Sequence, residues 1–192
     1  MVQLVGNPTL QHALAMVYGY ESTGYKKVLE FGVFKGISIN LMRHILGPQY
    51  EIFGFDSFEG LPEDWDGTTC KKGEFSTNGI IPEIENVTFF KGWFDDTLPE
   101  YLYVHGYDPI ALLHVDGDLY SSSNTVLYGL NDAIKAGTVI VFDEWTWIDN
   151  ITGEIRTDGE QKSFYEWSEH YNRKYSIIPS YETHRKIVLI TE

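Results

Sequence analysis

The sequence predicts an α/β protein built on a mostly parallel sheet with helices on both faces. Three observations carry that reading. Short apolar runs, suited to strands buried on both faces, alternate with helical stretches along most of the chain. Several of those runs stop at an acidic residue or a glycine. The last two are joined by a short turn, which fits a C-terminal hairpin with at least one antiparallel strand.

The first strand is "KKVLEFGV" (26–33), and a helix from about Ser38 to Leu46 follows it, halted by Gly47-Pro48. The second strand is "YEIFGFDS" (50–57). Residues 59–82 are rich in Gly, Pro, Asp and Lys and read as a long irregular excursion of the kind that forms lids or mobile segments. "NVTFFKG" (86–92) is the third strand, with a short helix expected after Thr97. "IALLHVD" (110–116) is the fourth, followed by a helix from about Ser122 to Lys135 with serines at its start and Gly137 at its end. "TVIVFDE" (138–144) is the fifth. "GEQKSFYEWSEHYN" (159–172) is amphipathic and helical, and "YSIIPSY" and "HRKIVLITE" close the sheet, with Pro179 favouring an edge position.

The totals bound the function classes. A length of 192 residues fits one domain, 1–192, with no internal repeat. Fourteen Lys and Arg against 28 Asp and Glu, a net charge of −14, oppose nucleic-acid binding, which needs clustered cations to displace counterions. A single cysteine, Cys70, excludes an intramolecular disulfide and a Cys-based zinc cage. No apolar run approaches a membrane span and no signal peptide opens the chain, so a cytoplasmic location without a membrane partner is the expectation.

In open parallel sheets the ligand lies outside the carboxyl ends of the strands, at the point where strand order reverses. All five strand ends should therefore face one crevice. In "EFGVFKGIS", Gly32 and Gly36 permit a sharp turn and close ligand approach, and the helix start behind them offers free N–H groups. Asp56, ending the second strand, is placed to accept hydrogen bonds from ribose hydroxyls. Together these read as a nucleoside site, although Gly-x-x-x-Gly is not the dinucleotide fingerprint and also serves helix–sheet packing alone.

Asp116, Asp143 and Glu144 end neighbouring strands, and three carboxylates at one point would repel each other unless a hard divalent cation accepted them as ligands. Solvated strand ends are the alternative. Asp118, just ahead of the serines, reads at least as well as a helix cap. His114 shares a strand side with Asp116, so it is either a proton acceptor near substrate or a hydrogen-bonded histidine of the sheet. Tyr120, Trp145 and Trp147 form an aromatic group, read either as a substrate entrance or as packing.

The phrases "VLEFGVFKGIS", "FGFDSFEGLPEDW", "KGWFDDTLP", "LLHVDGDLYSS" and "VIVFDEW" occur in the order found in the macrocin O-methyltransferase family, which the chain resembles from about residue 27 to 147. The resemblance implies a Rossmann-like class I methyltransferase with a seven-stranded sheet, S-adenosylmethionine as methyl donor and magnesium or another divalent cation. On that pattern Glu30, Gly32 and Gly36 border the methionine part of the donor, with Ser38 near its carboxylate. Asp56 holds the ribose, Ser57 and Phe58 border it, and Gly92 and Trp93 lie near the adenine. Asp116, Asp143 and Glu144 match the magnesium-binding acids, and either Asp116 or His114 accepts the proton.

The implied substrate is a small hydroxylated molecule, a sugar or vicinal diol, and self-association is left open. The chain departs from the pattern in three ways: about 25 residues precede the first strand where the family carries a longer region, Glu144 stands where aspartate is usual, and Leu119 stands where related catechol methyltransferases carry a lysine base. Two rival classes follow from the same residues. A nicotinamide-dependent oxidoreductase would use Asp56 but lacks a Tyr-x-x-x-Lys pair, and a non-catalytic nucleoside-binding domain would keep the fold without needing a metal.

Overall fold

A computed structural model describes residues 7–19, 23–180 and 182–192. The sheet begins with β1 (Lys27–Phe31), and β2 (Glu51–Asp56) and β3 (Val87–Lys91) extend it to one side. On the other side lie β4 (Ile110–Val115), β5 (Val139–Phe142), and the hairpin of β8 (Tyr175–Ile178) and β9 (Lys186–Ile190). The order is β3-β2-β1-β4-β5-β9-β8. Pairs from β3 to β5 are parallel, whereas β9 runs antiparallel to both β5 and β8. Only β9 is reversed, and β8, with Pro179 just beyond it, is an edge strand as expected. Tyr181, the last residue of "YSIIPSY", lies outside the described residues.

Period-two burial divides the core between the two sheet faces. Val28, Ile52, Leu112 and Val141 meet α1 (Pro8–Gly19) and α2 (Ile37–Leu46). Leu29, Phe55, Leu113 and Phe142 meet α3 (Phe94–His105), α4 (Tyr120–Gly129) and α5 (Glu160–His170). Helices therefore cover both faces, which is why β1, β4 and β5 are buried along their whole length.

Four elements differ from the sequence reading. Helix α1 is additional. Asn7 opens it by accepting the Leu10 N–H on its side-chain oxygen at 2.8 Å, with Pro8 in the first helical position. Helix α3 begins at Phe94 rather than after Thr97, because the Trp93 carbonyl already accepts the N–H groups of Asp96 and Thr97. Helix α4 runs from Tyr120 to Gly129 rather than from Ser122 to Lys135. Beyond it the Ala133 carbonyl is taken by the Ile110 N–H and the Lys135 N–H by the Thr138 hydroxyl, so the backbone turns toward β4 and β5. A small hairpin of β6 (Trp147–Ile148) and β7 (Ile155–Arg156) lies outside the main sheet. Among the described residues no helix is long and apolar enough to cross a membrane.

Candidate functional site

The strand ends are held level by one hydrogen bond each beyond the regular ladder. Gly32 donates to the Phe55 carbonyl, Gly92 to Asp56, Asp116 to Phe31 and Asp143 to Val115, all at 2.9–3.0 Å. Strand order reverses between β1 and β4, and there the chain ends pack without a gap. A Cβ on Gly32, whose φ is +95°, would sit 1.8 Å from the Asp116 carbonyl oxygen, so only glycine fits. Outside this line of strand ends opens a cavity of about 690 Å³, within the usual range for small-molecule sites.

Of the expected site residues, Gly32, Asp56, Ser57, Trp93, Asp116 and Glu144 line this cavity. The structure brings these six together. Glu30, Gly36, Ser38, Phe58, Gly92, His114 and Asp143 are not on its wall. Gly36 faces Pro82 and Ile84 at the end of the long loop, and Phe58 is buried against Phe89. Glu30 and His114 are fully buried on adjacent strands, 2.8 Å apart through Nδ1. Burial lowers the His114 pKa, but the bonds to Asp143 and Glu30 outweigh it and hold it well above its ordinary value. Burial raises Glu30 too, against the lowering effect of its bond to His114.

The carboxylate of Asp56 is committed to the backbone. Its Oδ2 accepts the N–H groups of Val33 and Phe34 at 2.8 Å each, and its Oδ1 accepts that of Phe58 at 2.6 Å. Phe34 and Phe58 have φ of 50° and 59°, a region that costs non-glycine residues energy. Charge-assisted bonds from one carboxylate fasten both turns.

Residues 59–82 fold into one wall of the cavity. Leu61 and Gly73 exchange backbone bonds with the opposite limb of the loop, and Leu61 and Trp65 build a small core with Leu119. Pro62, Glu63, Lys72 and Phe75 from this loop face the cavity, and Glu63 accepts the Ser121 hydroxyl at 2.8 Å, tying the loop to α4. The aromatic group does not form the entrance: Trp145 packs against Phe142 and Phe164, and Trp147 against Trp65.

The acidic end differs from expectation in two respects. Asp118 does not cap α4, whose N-cap is Leu119 without a side-chain bond. Instead Asp118, at φ 63°, lines the cavity. Asp143, by contrast, is engaged by protein. Arg185 donates from Nε to Oδ1 at 2.7 Å and from Nη2 to Oδ2 at 2.9 Å, and Asn7 adds a bond to Oδ1 at 3.1 Å. Burial would raise the Asp143 pKa, but His114 and Arg185 hold it below the carboxylate range.

On Asp116 the lowering pull of His114, and on Glu144 that of Arg185, is outweighed, and Asp118 has neither. Burial and the charge of Asp143 raise Asp116 well above its ordinary value. Burial, then Asp143 and Asp56, push Asp118 up to about 7, and burial, then Asp143 and Asp118, push Glu144 to about 8. Glu160, at the start of α5, is fully buried, accepts the Glu144 N–H at 3.0 Å on Oε2, and leaves Oε1 without a donor.

Asp116 and Glu144 offer carboxylate oxygens to the cavity, the donor type that a hard divalent cation takes. Ligand atoms of His114, Asp116 and Asp143 also lie within 4.8 Å of one another, but two of those three residues are already bonded to protein partners. Glu160 and Arg185 are residues the sequence reading did not place, and Asp118 is one it read at least as well as a helix cap. Asp118 carried a signal in its spacing from Asp116, whereas Glu160 and Arg185 stand in an amphipathic helix and ahead of a closing strand with no local mark.

Comparisons with known proteins agree with this architecture. Residues 72–163 match the sequence profile of the Macrocin-O-methyltransferase (TylF) family. The chain is 30% identical over 140 residues to demethyldecarbamoylnovobiocin O-methyltransferase of Streptomyces niveus, covering 62% of this chain and 52% of that protein. It is 27% identical over 142 residues to a tetracenomycin rhamnosyl 4'-O-methyltransferase of Streptomyces olivaceus, with the same coverage. The chain thus spans about half the length of the curated relatives it matches. The solved structure of the O-methyltransferase NovP superposes with a TM-score of 0.74 at 21% identity, over 98% of this chain and 81% of that one, a likeness of fold. By its sequence profile over residues 72–163, its named relatives and its shared sheet, the chain is similar to the macrocin O-methyltransferase family.

Proposed function

We propose that the chain is an S-adenosylmethionine-dependent O-methyltransferase, a single domain acting on a hydroxyl of a small molecule, a sugar or vicinal diol. One observation supports this reading above the others. A single cavity carries the Gly32–Asp56 turn at one end and, at the other, three carboxylates without hydrogen-bond partners among the described residues. The first end suits a nucleoside-bearing methyl donor and the second suits an acceptor hydroxyl that must lose a proton. The relatives named above are O-methyltransferases, two of them acting on antibiotic scaffolds by name.

When bound, the methyl donor supplies an electrophilic methyl group and a divalent cation supplies positive charge against the acceptor oxygen. The chain's residues do the rest. Gly32 lets the backbone of the first turn approach the ligand, and Asp56 keeps that turn in the conformation that presents it. Trp93, Phe94 and Phe75 give the cavity apolar walls that exclude water, while Ser121, Ser122 and Thr125 offer hydroxyls to a polyhydroxylated acceptor. Asp116 and Glu144 are the residues that would hold the cation. Asp118 takes the acceptor proton, because it lines the cavity and its carboxylate is bonded to no protein group among the described residues. His114 has both ring nitrogens turned toward Glu30 and Asp143, which suits it to holding the strand ends together.

The test is titration with S-adenosylhomocysteine and, separately, NAD, followed by methyl transfer to a panel of glycosides and catechols with and without chelator. Stabilisation by S-adenosylhomocysteine with product formation supports the reading. Stabilisation by NAD alone, or nucleoside binding without any turnover across the panel, turns it into one of the two rivals.

A further inference from the structure

Resting on the methyltransferase reading, we propose that Arg185 is a resident counter-ion that withdraws Asp143 from the cation's ligands, leaving Asp116 and Glu144 as the cation-binding wall. The expected set treats Asp143 and Glu144 as equivalent neighbours, and the structure separates them. Both oxygens of Asp143 are bonded to the planar guanidinium in the two-point geometry that arginine makes with carboxylates, and Asn7 adds a third bond.

Arg185 is itself fixed. Its Nη1 donates to Glu182 Oε1 at 2.6 Å, and Glu182 Oε2 accepts the Thr9 hydroxyl of α1 at 2.9 Å. The guanidinium is therefore clamped between the start of β9 and the start of α1, with its side chain only 19% exposed. A divalent cation drawn to the Asp143 oxygens would meet this fixed positive charge at close range, and like charges repel most strongly where water is scarce.

One residue further along, Glu144 lines the cavity and accepts no side-chain hydrogen bond among the described residues, and Asp118 lines the same cavity. Behind it stands the fully buried Glu160, which accepts the Glu144 N–H on Oε2, and the carboxylates on the cavity side are Asp116, Asp118 and Glu144 rather than Asp143. The cation belongs on that side. Glu144, in place of the shorter aspartate, has the reach that this displaced position requires.

A purely structural Arg185–Asp143 staple between β5 and β9 would leave cation affinity with no particular dependence on the pair, so Mn²⁺ binding followed by electron paramagnetic resonance on the full chain discriminates. The double variant Asp143→Asn/Arg185→Gln removes a net-neutral pair and should bind Mn²⁺ within about threefold of wild type. Asp116→Asn should lose at least tenfold, and Arg185→Gln alone, which frees Asp143, should gain at least tenfold.

A loss of tenfold or more in the double variant would make Asp143 a ligand and overturn the proposal, as would unchanged or weaker binding in a folded Arg185→Gln. Should these variants not fold, the Arg185 Nε–H resonance of the wild-type chain decides: it stays in place on Mg²⁺ addition if the ion pair persists and moves if the cation takes Asp143. S-adenosylhomocysteine titration on the same samples separates the two readings. Nucleoside binding without Mn²⁺ uptake ends this proposal alone, and absence of both ends the methyltransferase reading with it.

Discussion

Asp56 and Asp118 lie on the walls of one cavity and differ in almost everything else. Asp56 ends β2 and spends its charge on three backbone N–H groups, two of them in left-handed turns. Asp118 follows β4 in a left-handed turn of its own, and its carboxylate makes no hydrogen bond among the described residues. One pole of the crevice is therefore made rigid by satisfied charge, and the other is kept reactive by unsatisfied charge. A strand-end carboxylate can be a fastener or a reagent, and only its partners reveal which.

The largest effect expected at the rigid pole comes from Gly32→Ala. The added methyl has no room against the Asp116 carbonyl and φ is positive, so the two sides of the switch point must separate. We expect a loss of at least about 4 kcal/mol, seen as failure to fold or a collapsed denaturation midpoint. A stable variant would mean that the close approach of β1 and β4 is not what levels the strand ends.

Asp118→Asn should show the opposite profile. Asparagine tolerates the left-handed turn and removes no hydrogen bond, so the thermal midpoint should hold or rise. Turnover should fall about a hundred- to ten-thousand-fold, the usual worth of a general base. S-adenosylhomocysteine affinity measured alongside should be unchanged. Retained turnover would pass the proton-accepting role to Asp116.

Between these stands Asp56→Ala, which strands three backbone donors. We expect it to cost about 2–3 kcal/mol in chemical denaturation and to weaken S-adenosylhomocysteine binding at the same time. Unaltered stability with weakened binding would instead make Asp56 a ligand-binding group only, and the contrast with Asp118 would lose its force.

The smallest effect lies outside the crevice and serves as its control. Asp149 accepts the N–H groups of Ile151 and Thr152 and pairs with Arg156, and these bonds lower its pKa to about 2. A depressed carboxylate stabilises the fold above its unfolded pKa, near 4, and that contribution is lost as pH falls toward 2. Acid titration of wild type against Asp149→Asn should show a slightly shallower loss of stability in the variant, with no change in cofactor affinity.

Much of the fold was legible because the strands are buried on both faces and so read as continuous apolar runs. "KKVLEFGV" and "IALLHVD" announced β1 and β4 within two residues of their ends. Helix α1 escaped notice: it is marked by Asn7-Pro8 and by Leu10, Ala13, Leu14 and Val17 at helical spacing, but the exposed Ala15 and Tyr18 blur that face in the sequence. The end of α4 also escaped, since it depends on the Ala133 carbonyl finding the Ile110 N–H, a partner 23 residues earlier.

The sequence by itself determined the parallel sheet, the level of the crevice and which strand ends would reach it, because burial period and turn chemistry are local properties. It also carried the family phrases that the comparisons bear out. Tertiary structure alone decided how the acids divide. Asp143 and Glu144 are adjacent in the chain, yet one is closed by Arg185, 42 residues away, and the other is open to the cavity. The physical reason is that a carboxylate's charge state and availability depend on donors and neighbouring charges brought within a few ångströms, and those arrive from β9, α1 and α5 only when the chain has folded.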